Sequence, residues 1–344
     1  MSVGALLGVG GLYWYLREDE KEQTTIDPNV LDYELLRSEI RSILYHESFD
    51  DGCCAPLLLR LAFNQCATYS KYDGLGGMNG ASLRFDPERS YPHNRGLDRA
   101  MKLLESIKRK YPKISYSDLW VLASYVAIEE MGGPYIEFRG GRKDCKPPTE
   151  NNLGLALEEQ RFPEWDAGGT RLLDWFDRMG LSDREGTCLM GGHSCGRLHA
   201  ANSGIEGTWL DAQILTNDYF KNIVFLPYLY ERRGREHYYD PAHPEVVLLP
   251  IEGSFKYCAR VMRWAEFYAY ADLHVWLEDF GAVWKKVTEN GCLLDDDDPD
   301  APLPSIETAT FLGLSSPKTQ QEIEALSLLN TDNQEKKSPP PKLK

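Results

Sequence analysis

The sequence predicts a mainly α fold. Apolar residues recur at three- and four-residue spacing over long stretches, strand-like alternation is confined to short runs between Tyr228 and Leu249, and 42% of the 344 residues are hydrophobic, enough for one large or two fused domains with a substantial core. In chain order the periodic stretches predict helices over Tyr33 to His46, Ala55 to Thr68, Gly96 to Lys110, Ser117 to Met131, Thr170 to Met179 and Asp183 to His199. Later ones are expected near Asp218 to Val224 and over Phe255 to Glu289. No internal repeat occurs at solenoid periods.

The ends differ from this body. Ser2 to Leu16 are almost entirely apolar and meet Arg17-Glu18-Asp19, which ends any buried segment. As a helix this stretch reaches about 22 Å at 1.5 Å per residue, short of the roughly 30 Å hydrocarbon core of a bilayer. With no basic stretch before it and no small-residue cleavage site after it, it is expected to act as an uncleaved membrane anchor. Beyond the body lie Asp295 to Asp298 and a tail with Pro339-Pro340-Pro341 between lysines, too poor in apolar residues to order itself. The expected organisation is therefore an apolar segment and linker over 1–31, a folded domain over 32–290 and an acidic, proline-rich tail over 291–344.

A formal charge of −15, from 53 acidic and 38 basic residues, argues against nucleic-acid binding, which needs concentrated positive charge. A basic protein partner suits such a surface better. The eight cysteines show neither a CxxC zinc pair nor the CxxCH of covalent haem attachment, and they read as reduced, buried small hydrophobes.

Two constellations carry chemistry. In the first, Arg60-Leu61-Ala62-Phe63-Asn64, spacings of three and four put Arg60, Phe63 and Asn64 on one helix face. Taken alone, Arg60 and Asn64 read as facing water. In the second, Met190-Gly191-Gly192-His193, two glycines before a histidine let another group approach the backbone, and a neutral imidazole is a standard axial haem ligand. Ser203-Gly204-Ile205-Glu206-Gly207-Thr208-Trp209 follows, and Leu249-Pro250-Ile251-Glu252 offers a carboxylate partner.

These segments occur in the order and approximate spacing of the class I haem peroxidases, the family of cytochrome c peroxidase and ascorbate peroxidase. Further matches lie at Gly76-Gly77, Leu83-Arg84-Phe85, Pro92-His93-Asn94-Arg95-Gly96-Leu97, Ser115-Tyr116-Ser117-Asp118-Leu119, Gly132-Gly133-Pro134 and Gly140-Gly141-Arg142-Lys143-Asp144. The chain resembles that family over about Asp32 to Asn290. The resemblance implies the haem-peroxidase fold, a non-covalent haem b between a distal and a proximal helical half, and few short strands.

On the proximal side it implies His193 as the axial ligand of the haem iron. Glu252 stands where the family has the aspartate that bonds the imidazole, an arrangement that favours oxidised iron and O–O cleavage. Trp209 matches the proximal tryptophan that carries a radical in cytochrome c peroxidase and serves as packing in ascorbate peroxidases; both roles stay open. His199, six residues after the ligand, would lie near a haem propionate. Ser194 and Leu210 replace the threonines of the ascorbate peroxidase cation site, so no calcium or potassium is expected. Asn202 replaces an arginine used for ascorbate, which disfavours that donor.

On the distal side the family carries Arg, Trp and His at the positions of Arg60, Phe63 and Asn64, with an asparagine matching Asn94 behind the histidine. Asn64 cannot titrate near neutrality, so the resemblance implies a pseudoperoxidase-type member. General acid–base help is worth about 10² to 10⁴-fold, and Arg60 is left to polarise a bound oxidant. His93 beside Asn94 is not expected to replace the base, because adjacent side chains generally diverge; Cys66 and Cys195 are expected to face elsewhere.

Three functions follow from the resemblance. One is an oxidative-stress peroxidase with weak hydrogen peroxide activity that reduces peroxynitrite, with cytochrome c as electron donor. The second is a non-catalytic haem-based ligand-binding or redox-sensor protein. The third is a scaffold that binds no haem. Likeness to mitochondrial cytochrome c peroxidase points to mitochondria, although the leader lacks an arginine-rich amphipathic pattern.

Overall fold

A computed structural model describes residues 31–294 apart from 79, 148–160, 165–167, 210–211, 233 and 293. The first helix among the described residues is α1 (Tyr33–Ser42), whose N-terminus is capped by the Asp32 carboxylate accepting from the Glu34 and Leu35 amides at 3.0 and 3.1 Å. It stops short of the expected His46, because Tyr45 turns to pair with Cys53 in an antiparallel bridge. Then come α2 (Ala55–Cys66), α3 (Asp98–Lys110) and α4 (Tyr116–Glu130). The start of α3 falls two residues after the expected Gly96, which adopts a φ of +85° that no helix uses.

Two of the expected helices are each broken into separate elements. The stretch from Asp183 to His199 is α6 (Asp183–Met190), a 3₁₀ turn over Gly191–Ser194 and β1 (Arg197–Leu198); α5 (Gly169–Arg178) precedes them. Gly196, at φ +83°, lets the chain leave the turn as a strand, and β1 pairs antiparallel with β2 (Gly207–Thr208), flanking the short α7 (Ala200–Ser203). The stretch from Phe255 to Glu289 is a 3₁₀ turn followed by α10 (Ala259–Tyr270) and α11 (Leu273–Glu289). Asn217 donates from Nδ2 to the Tyr268 and Ala271 carbonyls at 2.9 and 2.8 Å, satisfying the end of α10 so that Ala271 and Asp272 can extend.

Asn217 itself precedes α8 (Asp218–Phe225). The expected strand region holds β3 (Leu229–Glu231), β4 (His237–Tyr239) and β5 (Val247–Leu248), an antiparallel meander in the order β3-β4-β5 with Tyr230 opposite Tyr238 and Tyr238 opposite Leu248. The one-turn α9 (Pro250–Gly253) follows directly.

Helix α4 is buried continuously from Ser117 to Ile128, the pattern of a central helix, and α2 lies along it with α1 and α3 alongside. In the other half α10 packs on α8 and α6, and α11 packs on α6 and reaches back to α2. A single apolar core joins the two halves. The buried ion pair of Arg142 with Asp118, at 2.9 Å, ties the segment after α4 to the first turn of that helix.

Between the halves, Gly191 sits where a side chain has no room. A Cβ there would lie 2.8 Å from the rings of both Phe220 and Trp276. The close approach expected at these glycines thus comes from aromatic rings of α8 and α11. Gly191→Ala is expected to cost about 1–3 kcal/mol through overpacking, read as a lower midpoint in urea unfolding; an unchanged midpoint would mean that the rings slide apart freely.

Candidate active site

The proximal group is built around one buried carboxylate. Glu252, on α9, is fully buried and its two oxygens meet four donors. Oε1 lies 2.6 Å from His193 Nδ1 and accepts from the Tyr219 hydroxyl at 2.8 Å. Oε2 accepts from Trp209 Nε1 and from the Leu249 amide, both at 2.7 Å. The longer glutamate therefore still reaches the imidazole, and its charge is met on every side.

His193 leaves α6 on the 3₁₀ turn, and Trp209 stacks on its ring with centroids 4.4 Å apart and planes 15° apart. With Nδ1 directed at the carboxylate, the proton sits on Nδ1 and Nε2 keeps its lone pair. The His193 side chain remains 37% exposed although its partner is wholly buried, so the ring faces an opening.

Tyr219 is the member that motif reading missed. It falls on α8, which reads from the sequence simply as an apolar helix. The available signal was physical: a buried tyrosine hydroxyl needs an acceptor. Burial, followed by the Glu252 charge, pushes its phenol well above the usual value, so it stays protonated and donates.

On α2, one turn carries Arg60, Phe63 and Asn64. Asn64 Nδ2 donates to the His93 carbonyl and to Asn94 Oδ1, each at 2.9 Å. Asn94 Nδ2 in turn donates to the Glu88 carbonyl at 2.8 Å, which fixes its Oδ1 toward Asn64. Both N–H groups of Asn64 are thus used, and its Oδ1 is left as an acceptor. Arg60 Nη2 donates to the carbonyls of His93 at 2.7 Å and Arg95 at 3.0 Å, and among the described residues no carboxylate pairs with it. Burial lowers its pKa to about 10, and it is charged at neutral pH. Phe63 packs edge-on against Trp175 at 5.9 Å and stacks near Trp284 at 6.2 Å.

The structure thus joins His193, Trp209 and Glu252 in one hydrogen-bonded set and Arg60, Asn64 and Asn94 in another. His199 belongs to neither: its Nε2 lies 2.7 Å from Asp50 Oδ2, and Nδ1 lies 3.9 Å from Glu206. Among the described residues all eight cysteines are free thiols. Cys66 is fully buried, and Cys195, which donates to the Gly192 carbonyl at 3.3 Å, is pushed up to about 12 by burial, so both are neutral thiols. Ser194 Oγ accepts from the Thr216 amide at 3.1 Å, whereas Leu210 lies outside the described residues.

The donor set fits a haem. Among the described residues no group of three His, Cys, Asp or Glu could hold a bare metal ion. A single imidazole with an open Nε2 and a carboxylate behind it suits a metal whose other ligands arrive with a macrocycle. A surface cleft of about 640 Å³ bounded by Asp174, Arg260 and Trp264 contains none of these groups.

Comparison with known proteins shows the family. The sequence model of the family described as peroxidase matches residues 36–269. The chain is 37% identical over 296 residues to the mitochondrial cytochrome c peroxidase of Neurospora crassa, covering 84% of this chain and 80% of the relative. The chain belongs to the class I haem peroxidases. A mitochondrial cytochrome c peroxidase of Pyricularia oryzae is 36% identical over 290 residues, with 83% and 78% covered. A Yarrowia lipolytica protein named, provisionally, as a heme-binding peroxidase is 36% identical over 285 residues, with 80% and 93% covered. The mainly helical architecture with short strands is that of this peroxidase family, whose members are haem-dependent oxidoreductases. Among the described residues no helix is long and apolar enough to cross a membrane; the apolar segment over 2–16 lies outside them.

Proposed function

We propose that the protein is a haem b peroxidase of the oxidative-stress response that handles hydrogen peroxide slowly and reduces peroxynitrite. The observation that carries this reading is the spent amide of Asn64: both its N–H groups are committed to His93 and Asn94. His193 would hold the haem iron through Nε2, with Glu252 raising the basicity of the imidazole. When bound, haem would supply the metal that takes up an oxygen ligand and exchanges electrons.

The chain's own groups then divide the work. Asn64 Oδ1 can accept a hydrogen bond from hydrogen peroxide entering the distal side but takes up no proton near neutrality. Arg60 stabilises negative charge that develops on the distal side. Cleavage of hydrogen peroxide needs a proton moved to the departing oxygen, whereas peroxynitrite is an anion with a leaving group that departs without one. The Arg60 charge also favours an anionic oxidant. Trp209, held by Glu252 and stacked on His193, is positioned to pass electrons inward, with cytochrome c, a basic protein, as the donor for this acidic chain.

The names of the relatives support a mitochondrial location, and the segment over 2–16 is proposed to attach the folded domain over 32–290 to a membrane. The same lack of a titratable group at position 64 favours the second reading, a haem-based sensor without turnover. Rapid-scan spectroscopy of haem-loaded protein separates the two. Peroxynitrite is expected to change the Soret band faster than hydrogen peroxide at equal concentration. No change with either oxidant would leave the sensor reading, and no Soret band after haemin addition would overturn both.

A further inference from the structure

Asn64 leaves the distal helix without a proton acceptor, and one titratable side chain stands beside it. His93 lies in the 3₁₀ turn Pro92–Asn94, and its own carbonyl is the shared acceptor for Arg60 and Asn64. Its ring does not turn away to solvent. It stacks on Phe162 with centroids 4.1 Å apart and planes 19° apart, and it touches Tyr91 at 5.7 Å. Phe162 packs on Trp175 at 6.2 Å, and Trp175 packs on Phe63. Arg60 and Asn64 thus meet at the His93 carbonyl, and the Arg60 charge acts on the His93 ring.

Every other feature of this imidazole is that of a base kept neutral. Among the described residues its ring nitrogens have no hydrogen-bond or ion-pair partner. The elements packed against it bring Phe162, the phenol of Tyr91 and the Arg60 guanidinium, and Arg60 is the charge that acts on it. Burial, and secondarily Arg60, lowers its pKa from 6.5 to about 4.

We propose that His93 is the proton acceptor of the distal side, receiving the proton of a weak acid HX that arrives neutral and binds as X⁻ beside Arg60. The proposal rests on the haem reading of the site. The transfer changes no oxidation state: the H–X bond breaks, an N–H bond forms on the imidazole, and X⁻ stays beside Arg60, where haem iron, when bound, would add a second cation. The bound anion faces both cations and so favours the imidazolium that the free site rejects. His93 thus takes a proton only when an anion is formed beside it.

Hydrogen cyanide is the probe, because it enters as an acid and binds haem as the anion. In haem-loaded protein, His93→Phe, which keeps the stack on Phe162, and His93→Gln are both expected to slow cyanide association by about 10 to 10²-fold. Nitric oxide, which brings no proton, should bind all three proteins alike. In an Asn64→His background the His93→Phe change should lose its effect, since a base is restored. Haem-free protein provides a second readout. The folded state holds the His93 proton less tightly than the unfolded state, so stability should rise with pH between about 4 and 6.5. His93→Phe should flatten that rise. Equal cyanide rates in wild type and both variants would overturn the proposal, as would equal slowing of cyanide and nitric oxide. Absence of a Soret band in haem-loaded wild type would instead overturn the haem reading.

Discussion

Asn64→His is expected to raise the second-order rate of the haem-loaded protein with hydrogen peroxide by about 10² to 10⁴-fold. The site is already arranged to receive the histidine. Asn94 Nδ2 donates to the Glu88 carbonyl, which fixes the amide so that its Oδ1 accepts from Asn64 Nδ2 at 2.9 Å. An imidazole in place of Asn64 would direct Nδ1–H to that same oxygen and leave Nε2 free as the base. The second Asn64 bond, to the His93 carbonyl, would be lost at about 1 kcal/mol, but Arg60 still donates to that oxygen, so the fold should tolerate the change. The gain should be much smaller with peroxynitrite, which needs less proton delivery. Stopped-flow absorbance with both oxidants tests this. An unchanged hydrogen peroxide rate would mean that the α2 turn does not aim residue 64 at the reacting oxygen.

How much of this was legible in the sequence depends on whether a residue acts through local pattern or through distant packing. The helices over α2 and α4 are legible within one or two residues, because both are long apolar stretches whose burial follows from local composition. The break at Ala271 did not, since it depends on Asn217, which lies far back in the chain and captures the carbonyls that would otherwise continue the helix. The turn after Met190 was missed for a different reason: Gly191 fits a helical pattern, and only the rings of Phe220 and Trp276 against it reveal its constraint. In the site, His193, Trp209 and Glu252 follow from motifs, and their hydrogen bonds join them. Tyr219 follows from no motif, because its role is fixed by an oxygen brought to it from α9. The sequence gives no sign of a role for His93, because adjacent side chains generally diverge. Its side chain does diverge from Asn94, yet the stack on Phe162 keeps the ring beside Arg60.

The donor geometry around Glu252 makes Glu252→Gln the second informative change. An amide offers one oxygen and one NH₂ to sites now occupied by two oxygens. Trp209 Nε1 and the Leu249 amide are donors only, so the glutamine oxygen must replace Oε2 and its NH₂ must replace Oε1. The NH₂ then faces Tyr219 and His193. The tyrosine hydroxyl can rotate to accept, but His193 must accept through Nδ1, which moves its proton to Nε2 and blocks the nitrogen that would bind iron. Haemin affinity, read by Soret titration, is therefore expected to fall by about 10 to 100-fold, while the haem-free protein loses only about 1–3 kcal/mol. Glu252→Leu removes the acceptors altogether and strands the Trp209 and Leu249 N–H groups in the core, so its expected cost is larger, about 3–5 kcal/mol in urea unfolding. Unchanged haemin affinity in Glu252→Gln would show that the His193 tautomer is set by something other than this carboxylate.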